Sequence, residues 1–154
     1  MSGADPFVAP GEETAADAVS AIADELAMFD EWMERYGYII ELGRKLPPFP
    51  EDWANDAHRV PGCQSRVWME AVNRDGRLYF AGASDAAIVS GLVALLLRVY
   101  SGRRPEEILA TDPVFLKDLG LIEALSTNRG NGIASMARTV RERAAAERAA
   151  TSAD

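Results

Sequence analysis

Between Ile88 and Val99 this chain places apolar residues at almost every helical position. Ile88, Val89, Leu92, Val93, Leu95, Leu96, Leu97 and Val99 cover nearly the whole circumference of a helix. A helix apolar on all sides is stable only where neighbours cover it on all sides. The longest apolar run, Leu92 to Leu97, is far shorter than the roughly 20 residues that a bilayer span needs. The segment is therefore expected in the middle of a globular fold. A chain of 154 residues, 48% hydrophobic, is sized for one domain and can bury such a core without a metal or disulfide staple.

The elements that cover the central helix are legible as periodicities. Val19, Ile22, Leu26 and Phe29 form one apolar stripe, which predicts a helix from Ala18. A second helix is predicted from Glu31 to Lys45, with Trp32, Tyr36, Ile39, Ile40 and Leu42 inward and Gly43 and Leu46-Pro47-Pro48 as its stop. From Arg66 to Arg74, Val67, Met69 and Ala71 alternate with Trp68, Glu70 and Val72, as a strand requires. Asn73-Arg74-Asp75-Gly76 then reads as a hairpin turn, and the return strand runs from Arg77 to Ala83 with Leu78 and Phe80 on one face.

Ser84 or Asp85 is expected to cap the central helix, which ends at Tyr100 before Ser101-Gly102. Short helices are predicted at Pro105 and from Asp112 to Leu119, with Gly120 as a break. Ser126, Thr127 or Asn128 caps a last helix from Arg129 to Ala149. Its first half is apolar-periodic (Ile133, Met136, Val140), while the Ala/Glu/Arg-rich second half is expected to project into solvent. The first residues, rich in Gly, Pro, Ala and acidic groups, are expected to form a flexible tail over 1–17, ahead of a domain over 18–150. The expected class is α+β, a small antiparallel sheet flanked by several helices.

A net charge of −8 and a sequence pI near 4.7 argue against a nucleic-acid binder, which usually carries a basic face. The N-terminal sequence has neither the basic region nor the apolar stretch of a signal peptide. With no spanning segment either, the expected location is the cytoplasm, with no membrane partner. One cysteine cannot form an internal disulfide.

That cysteine, Cys63, closes the segment Leu46 to Pro61, where Pro47, Pro48, Pro50 and Pro61 forbid a helix or a central strand. It stands at the end of a long loop, one step before a strand, and long loops in compact domains usually serve a function. From the residues alone two readings stay open. Free cysteine is often a small buried hydrophobe. Against that, Gly62 permits close approach by another molecule, Gln64 and Ser65 are polar, and Arg59 and Arg66 would favour a thiolate.

His58, the only histidine, makes a Cys–His nucleophile formally available, although a solvated loop histidine is the simpler reading. One Cys and one His cannot supply the four ligands of a structural zinc or an iron–sulfur cluster. Gly130-Asn131-Gly132 lacks the strand and the lysine of a phosphate loop. Asn128, Arg129 and Asn131 read by default as capping and solvated residues. Trp32, Tyr36, Trp68 and Tyr100 fall on core-facing stripes.

Several longer blocks resemble one family. Tyr36-Gly37-Tyr38-Ile39-Ile40-Glu41-Leu42-Gly43, Leu46-Pro47-Pro48 and Val60-Pro61-Gly62-Cys63-Gln64-Ser65-Arg66-Val67-Trp68 are similar to SufE proteins. So are Ser84-Asp85-Ala86-Ala87-Ile88-Val89-Ser90-Gly91-Leu92, Leu125-Ser126 and Arg129-Gly130-Asn131-Gly132-Ile133, in the same order over about residues 18 to 148. The resemblance implies a SufE/IscU-like fold and an accessory protein without turnover of its own. It implies a sulfur acceptor that stimulates a SufS-type cysteine desulfurase and passes sulfur on to a Suf scaffold complex for iron–sulfur cluster assembly. The acceptor cysteine of the family falls on Cys63, which would carry a persulfide. The arginine of the desulfurase interface falls on Arg129, and Gln64 and Arg66 are expected to contact the same partner. No cofactor of its own is implied, because pyridoxal phosphate belongs to the desulfurase. Two rival readings are a non-covalent activator in which Cys63 is structural, and a stand-alone cysteine enzyme using Cys63 and His58. An IscU-like scaffold is disfavoured by the single cysteine.

Overall fold

In the computed structural model, which describes residues 5–63, 65–121 and 127–152, the central helix is α3 (Ala87–Tyr100). Ten of its residues are buried, among them Leu92, Val93, Leu96, Leu97, Val99 and Tyr100 at 0% exposure. Four elements cover it: α1 (Ala15–Leu26), α2 (Trp32–Arg44), strand β2 (Arg77–Ser84) and the last helix, α6 (Thr127–Ser152). Between α3 and α6 lie two short helices, α4 (Pro105–Ala110) and α5 (Phe115–Asp118). Among the described residues no helix is long and apolar enough to cross a membrane.

Helices α2 and α3 touch through backbone. A Cβ on Gly43 would stand 2.6 Å from the Gly91 nitrogen, and one on Gly91 would collide with the Ile39 carbonyl oxygen. Two glycines thus let the axes approach more closely than side chains permit.

Strand β1 (Val67–Arg74) pairs antiparallel with β2 from Val67↔Ser84 to Arg74↔Arg77. The two-residue connection, Asp75 (φ 54°) and Gly76 (φ 86°), has both residues at positive φ, as the tightest hairpins require. The sheet has two strands among the described residues. Leu78 N–H donates to Arg103 O (2.8 Å) and Phe80 N–H to Ser101 Oγ (2.9 Å), so the outer edge of β2 is occupied.

Three sequence expectations shift. Helix α1 begins at Ala15, where the Thr14 hydroxyl accepts from Asp17 N–H at 3.0 Å. The large apolar residues marked the stripe from Ala18, but Ala15 and Ala18 are themselves buried (1% and 0% exposed) and extend it. Val8 and Glu12, within the segment expected to be flexible, are bonded to the body. Val8 N–H donates to Phe80 O, and Val8 O accepts from the Ser101 hydroxyl. Glu12 O accepts from Arg103 Nη1, while the Glu12 carboxylate pairs with Arg98 at 2.7 Å. Finally, α6 does not leave the body at its midpoint, since Ala144 is fully buried and Arg141 Nη2 donates to Leu109 O in α4.

The buried guanidinium of Arg103 (1% exposed) is satisfied by carbonyls, with Nε on Val99 O and Nη2 on Arg98 O besides Glu12 O. Burial lowers its pKa. Arg98 also pairs with Glu25 at 2.7 Å, and this hydrogen bond holds the Glu25 carboxyl below the ordinary carboxylate range.

Two stability outcomes follow. Gly91→Ala is expected to cost about 3 kcal/mol, the upper end of ordinary overpacking because backbone must move, read from the urea midpoint. A depressed carboxyl contributes stability above its unfolded pKa and loses it as pH falls through the folded one. Glu25→Gln should therefore destabilise at neutral pH, and its deficit should fade as pH falls through the lowered folded pKa of Glu25.

Candidate functional site

The long loop between α2 and β1 is built rather than slack. Two 3-10 turns, Glu51–Trp53 and Asp56–His58, punctuate it. Trp53 gathers the rings of Phe7, Phe49 and His58 at centroid distances of 5.7, 5.8 and 6.0 Å. The loop rejoins the sheet where Val60 N–H donates to Val67 O at 2.8 Å, with the Val60 side chain buried at 2% exposure. Residues 61–66 therefore form a short excursion whose two ends are fixed side by side.

The far end is fixed a second time. Arg66 N–H donates to Asp85 Oδ1 (3.1 Å), while Arg66 O accepts from the Ser84 hydroxyl (2.7 Å) and from Asp85 N–H (3.3 Å). Asp85, expected to cap α3, is spent on this clamp, while Ser84, which donates to Arg66 O, also accepts from Ala86 N–H at 3.2 Å. The cap residue is Ala86, without a side-chain bond. A carboxylate serves whichever free N–H is nearest, and for Asp85 that is Arg66.

Within the excursion the backbone turns at Gly62, whose φ of 80° is one that L side chains rarely adopt. A Cβ there would also stand 2.7 Å from Ser135 Oγ in α6. Cys63 is half-buried against the same helix, and its thiol donates to Gly132 O at 3.6 Å. Gly132 has no side chain, and even a Cβ on it would be 3.8 Å from the sulfur.

Burial pushes the Cys63 thiol up from its ordinary pKa, and the charge of Arg59 offsets this only in part. The expectation that arginines favour a thiolate is therefore half met. Arg59 acts in that direction and loses to desolvation, the largest of the three ways a pKa shifts here. The Arg66 side chain is exposed, and its backbone holds the end of the excursion. Gln64 and the side chain of Arg129 lie outside the described residues.

His58 is neither a solvated loop histidine nor a base aimed at the thiol. Its Nε2 lies 2.8 Å from Glu70 Oε2 and its Nδ1 3.0 Å from Asn55 Oδ1, with the ring stacked on Trp53. Asn55 is held in that orientation by donating to Asp52 O and accepting from His58 N–H. Among the described residues no group of three His, Cys, Asp or Glu is placed to hold a metal ion. Of the aromatic residues read as packing, Tyr100 is fully buried and donates its hydroxyl to Thr111 O.

The partners of Cys63 were not found by inspecting its neighbours in sequence. Gly132, which accepts from the thiol, is 69 positions further on, and Ser135, which faces Gly62, lies on the same helix. The apolar period of α6 marks Ile133, Met136 and Val140, which face the core. The Cys63 face lies between those positions and is marked by small residues alone.

With the geometry in hand, comparison with known proteins places the chain. Residues 20–144 match the SufE family, described as an Fe-S metabolism associated domain. A SufE-like protein of Rhizobium meliloti (strain 1021) is 42% identical over 132 residues, covering 82% of this chain and 94% of that one. A SufE-like protein of Rhizobium etli is 40% identical over 147 residues, covering 91% and 98%. The solution structure of a hypothetical protein from Thermus thermophilus superposes with a TM-score of 0.70 at 20% identity, over 84% of this chain and 95% of that one, a likeness of fold. This chain belongs to the SufE family, a family associated with iron–sulfur metabolism.

Only the thiolate reacts with alkylating agents, so a raised pKa slows reaction near neutrality. Iodoacetamide is expected to modify Cys63 in the folded protein more slowly at pH 7 than in the urea-unfolded chain. The midpoint of its pH–rate profile should lie above that of the unfolded chain.

Proposed function

We propose that this protein accepts sulfur from a PLP-dependent cysteine desulfurase of the SufS type and carries it as a persulfide on Cys63 toward a Suf scaffold for iron–sulfur cluster assembly. One observation carries the proposal. In a chain of this family, the single thiol stands on a short excursion clamped at both ends and rests on a carbonyl that holds it only weakly. A thiol hydrogen bond of 3.6 Å is a weak restraint, so release of the thiol costs little. The clamp at Arg66 and the Val60–Val67 bond keep the excursion in register while its tip moves.

The transfer is an exchange at sulfur. The desulfurase holds the sulfur it has removed from L-cysteine as a persulfide on its own cysteine. Cys63 gives up its proton and its thiolate attacks the outer, sulfane sulfur. A new S–S bond forms, the donor's S–S bond breaks, and the donor cysteine leaves as a thiolate that takes up a proton. No electrons are gained or lost overall. Such exchange needs a thiolate and in-line access, and a half-buried thiol with a raised pKa disfavours both. The partner therefore supplies both, by drawing Cys63 off Gly132 into a more polar setting. Arg59, Arg66 and Arg129 are the cations we assign to stabilising that thiolate or docking the desulfurase, and Gln64 is assigned to contact the same partner. Outside the complex, the resting position shields a persulfide from oxidation and from small thiols. The protein acts as an accessory in the cytoplasm, where thiols stay reduced.

Intact-protein mass spectrometry after incubation with a SufS-type desulfurase, PLP and L-cysteine tests this reading. The expected result is a gain of one sulfur, reversed by reductant and absent in Cys63→Ser, whose hydroxyl can still donate to Gly132 O. Stimulation of the desulfurase without any sulfur gain would replace the shuttle with a non-covalent activator. His58→Ala should leave transfer unchanged, since both ring nitrogens are engaged away from the thiol. Loss of transfer in a folded His58→Ala protein would favour a Cys–His enzyme.

A further inference from the structure

Helix α6 has a second exposed flank, distinct from the one that carries Gly132 and Ser135. Ala134, Arg138, Arg141 and Ala145 recur at helical spacing along three turns. They form one wall of a groove of about 650 Å³, whose other wall is the segment from Leu109 to Lys117, with Val114 and Leu116 facing in. Its size is that of pockets that enclose small organic molecules. The lining is mostly apolar, and Val114 is left 52% exposed, one of the few large apolar side chains so placed.

The charged residues of this groove are unevenly satisfied. Three cations, Lys117, Arg138 and Arg141, face two carboxylates, Asp112 and Glu142, in a chain whose net charge is −8. Asp112 already accepts from Val114 N–H at 2.9 Å. Among the described residues Lys117 and Arg138 have no ion-pair partner. Arg141 donates from Nη2 to Leu109 O, while its buried Nε–H has no acceptor among the described residues. A buried donor without an acceptor costs about 1–3 kcal/mol, and guanidinium groups beside an apolar channel match a carboxylate that carries an apolar tail.

We propose that this groove is a binding site for an amphiphilic carboxylate of medium chain length. The tail lies over Val114, Leu116, Ala134 and Ala145, and the head is held by Arg138 and Arg141. The site is separate from Cys63, because α6 presents the two on different flanks, and it stands whether or not Cys63 carries sulfur.

The test is isothermal titration calorimetry of the full chain with sodium dodecanoate, below its micelle concentration. Saturable binding of one molecule per chain is expected. It should be at least about tenfold tighter than binding of dodecyltrimethylammonium, a difference of about 1.4 kcal/mol. Arg138→Glu should weaken it by about tenfold. Val114→Glu, which puts a carboxylate in the wall, should abolish it, and Cys63→Ser should leave it unchanged. Circular dichroism reports whether each variant is folded, and Arg138→Glu decides should Val114→Glu fail to fold. No saturable binding, equal affinity for the cationic analogue, or binding unaffected by the groove variants would each overturn the proposal.

Discussion

Helix α3 has no face that tolerates water, and the rest of the molecule is arranged to meet that condition. Each fully buried Leu or Val contributes about 2 kcal/mol relative to exposure, so an uncovered side would forfeit several such contributions at once. Covering a cylinder takes neighbours all the way round, here α1, α2, β2 and α6. The glycine contact at Gly43 and Gly91 lets α2 lie against it at backbone distance. Because α6 is held by the same requirement, through Ile133, Met136, Val140 and Ala144, its remaining surface is fixed in space as well.

That surface is where the chemistry lies. A helix that gives one stripe to the core has two flanks left over. One flank of α6 offers Gly132 and Ser135, small enough for the Cys63 excursion to rest on. Further along it, Thr139 and Arg143 border a small cleft shared with His58 and Glu70. The other flank lines the apolar groove. The resting thiol has its pKa pushed up for a physical reason, since the contact that shelters it removes water from it, and desolvation outweighs the nearby charge of Arg59. Shelter and reactivity are alternatives of one position, which makes movement of the tip part of the function we propose.

The N-terminal segment adds a second long-range constraint. Val8 and Glu12 provide carbonyls for Ser101 and Arg103, and the Glu12 and Glu25 carboxylates converge on Arg98. Both arginines belong to the end of α3 or the turn after it. A buried cation is tolerated only where its donors are met, so the polar end of the central helix needs this segment as its apolar middle needs the other helices.

Much of this was legible before any coordinates. The all-round apolar pattern of Ile88–Val99, the stripe of α2, the alternation from Val67 and the Asp75-Gly76 turn are local signals, because periodicity and turn chemistry act over a few residues. The single cysteine, its loop and the family resemblance singled out Cys63 in the same way. The rest depended on pairs far apart in the chain. Asp85 looks like a cap until Arg66 takes it, His58 looks free until Glu70 and Asn55 engage it, and Glu12 has no visible purpose until Arg98 and Arg103 arrive. By itself the sequence determined which segments are helix or strand and which sulfur is available. Only the tertiary structure decided that this sulfur rests on Gly132, partly desolvated and with its pKa pushed up, because burial and hydrogen-bond partners arise from contacts that no local pattern encodes.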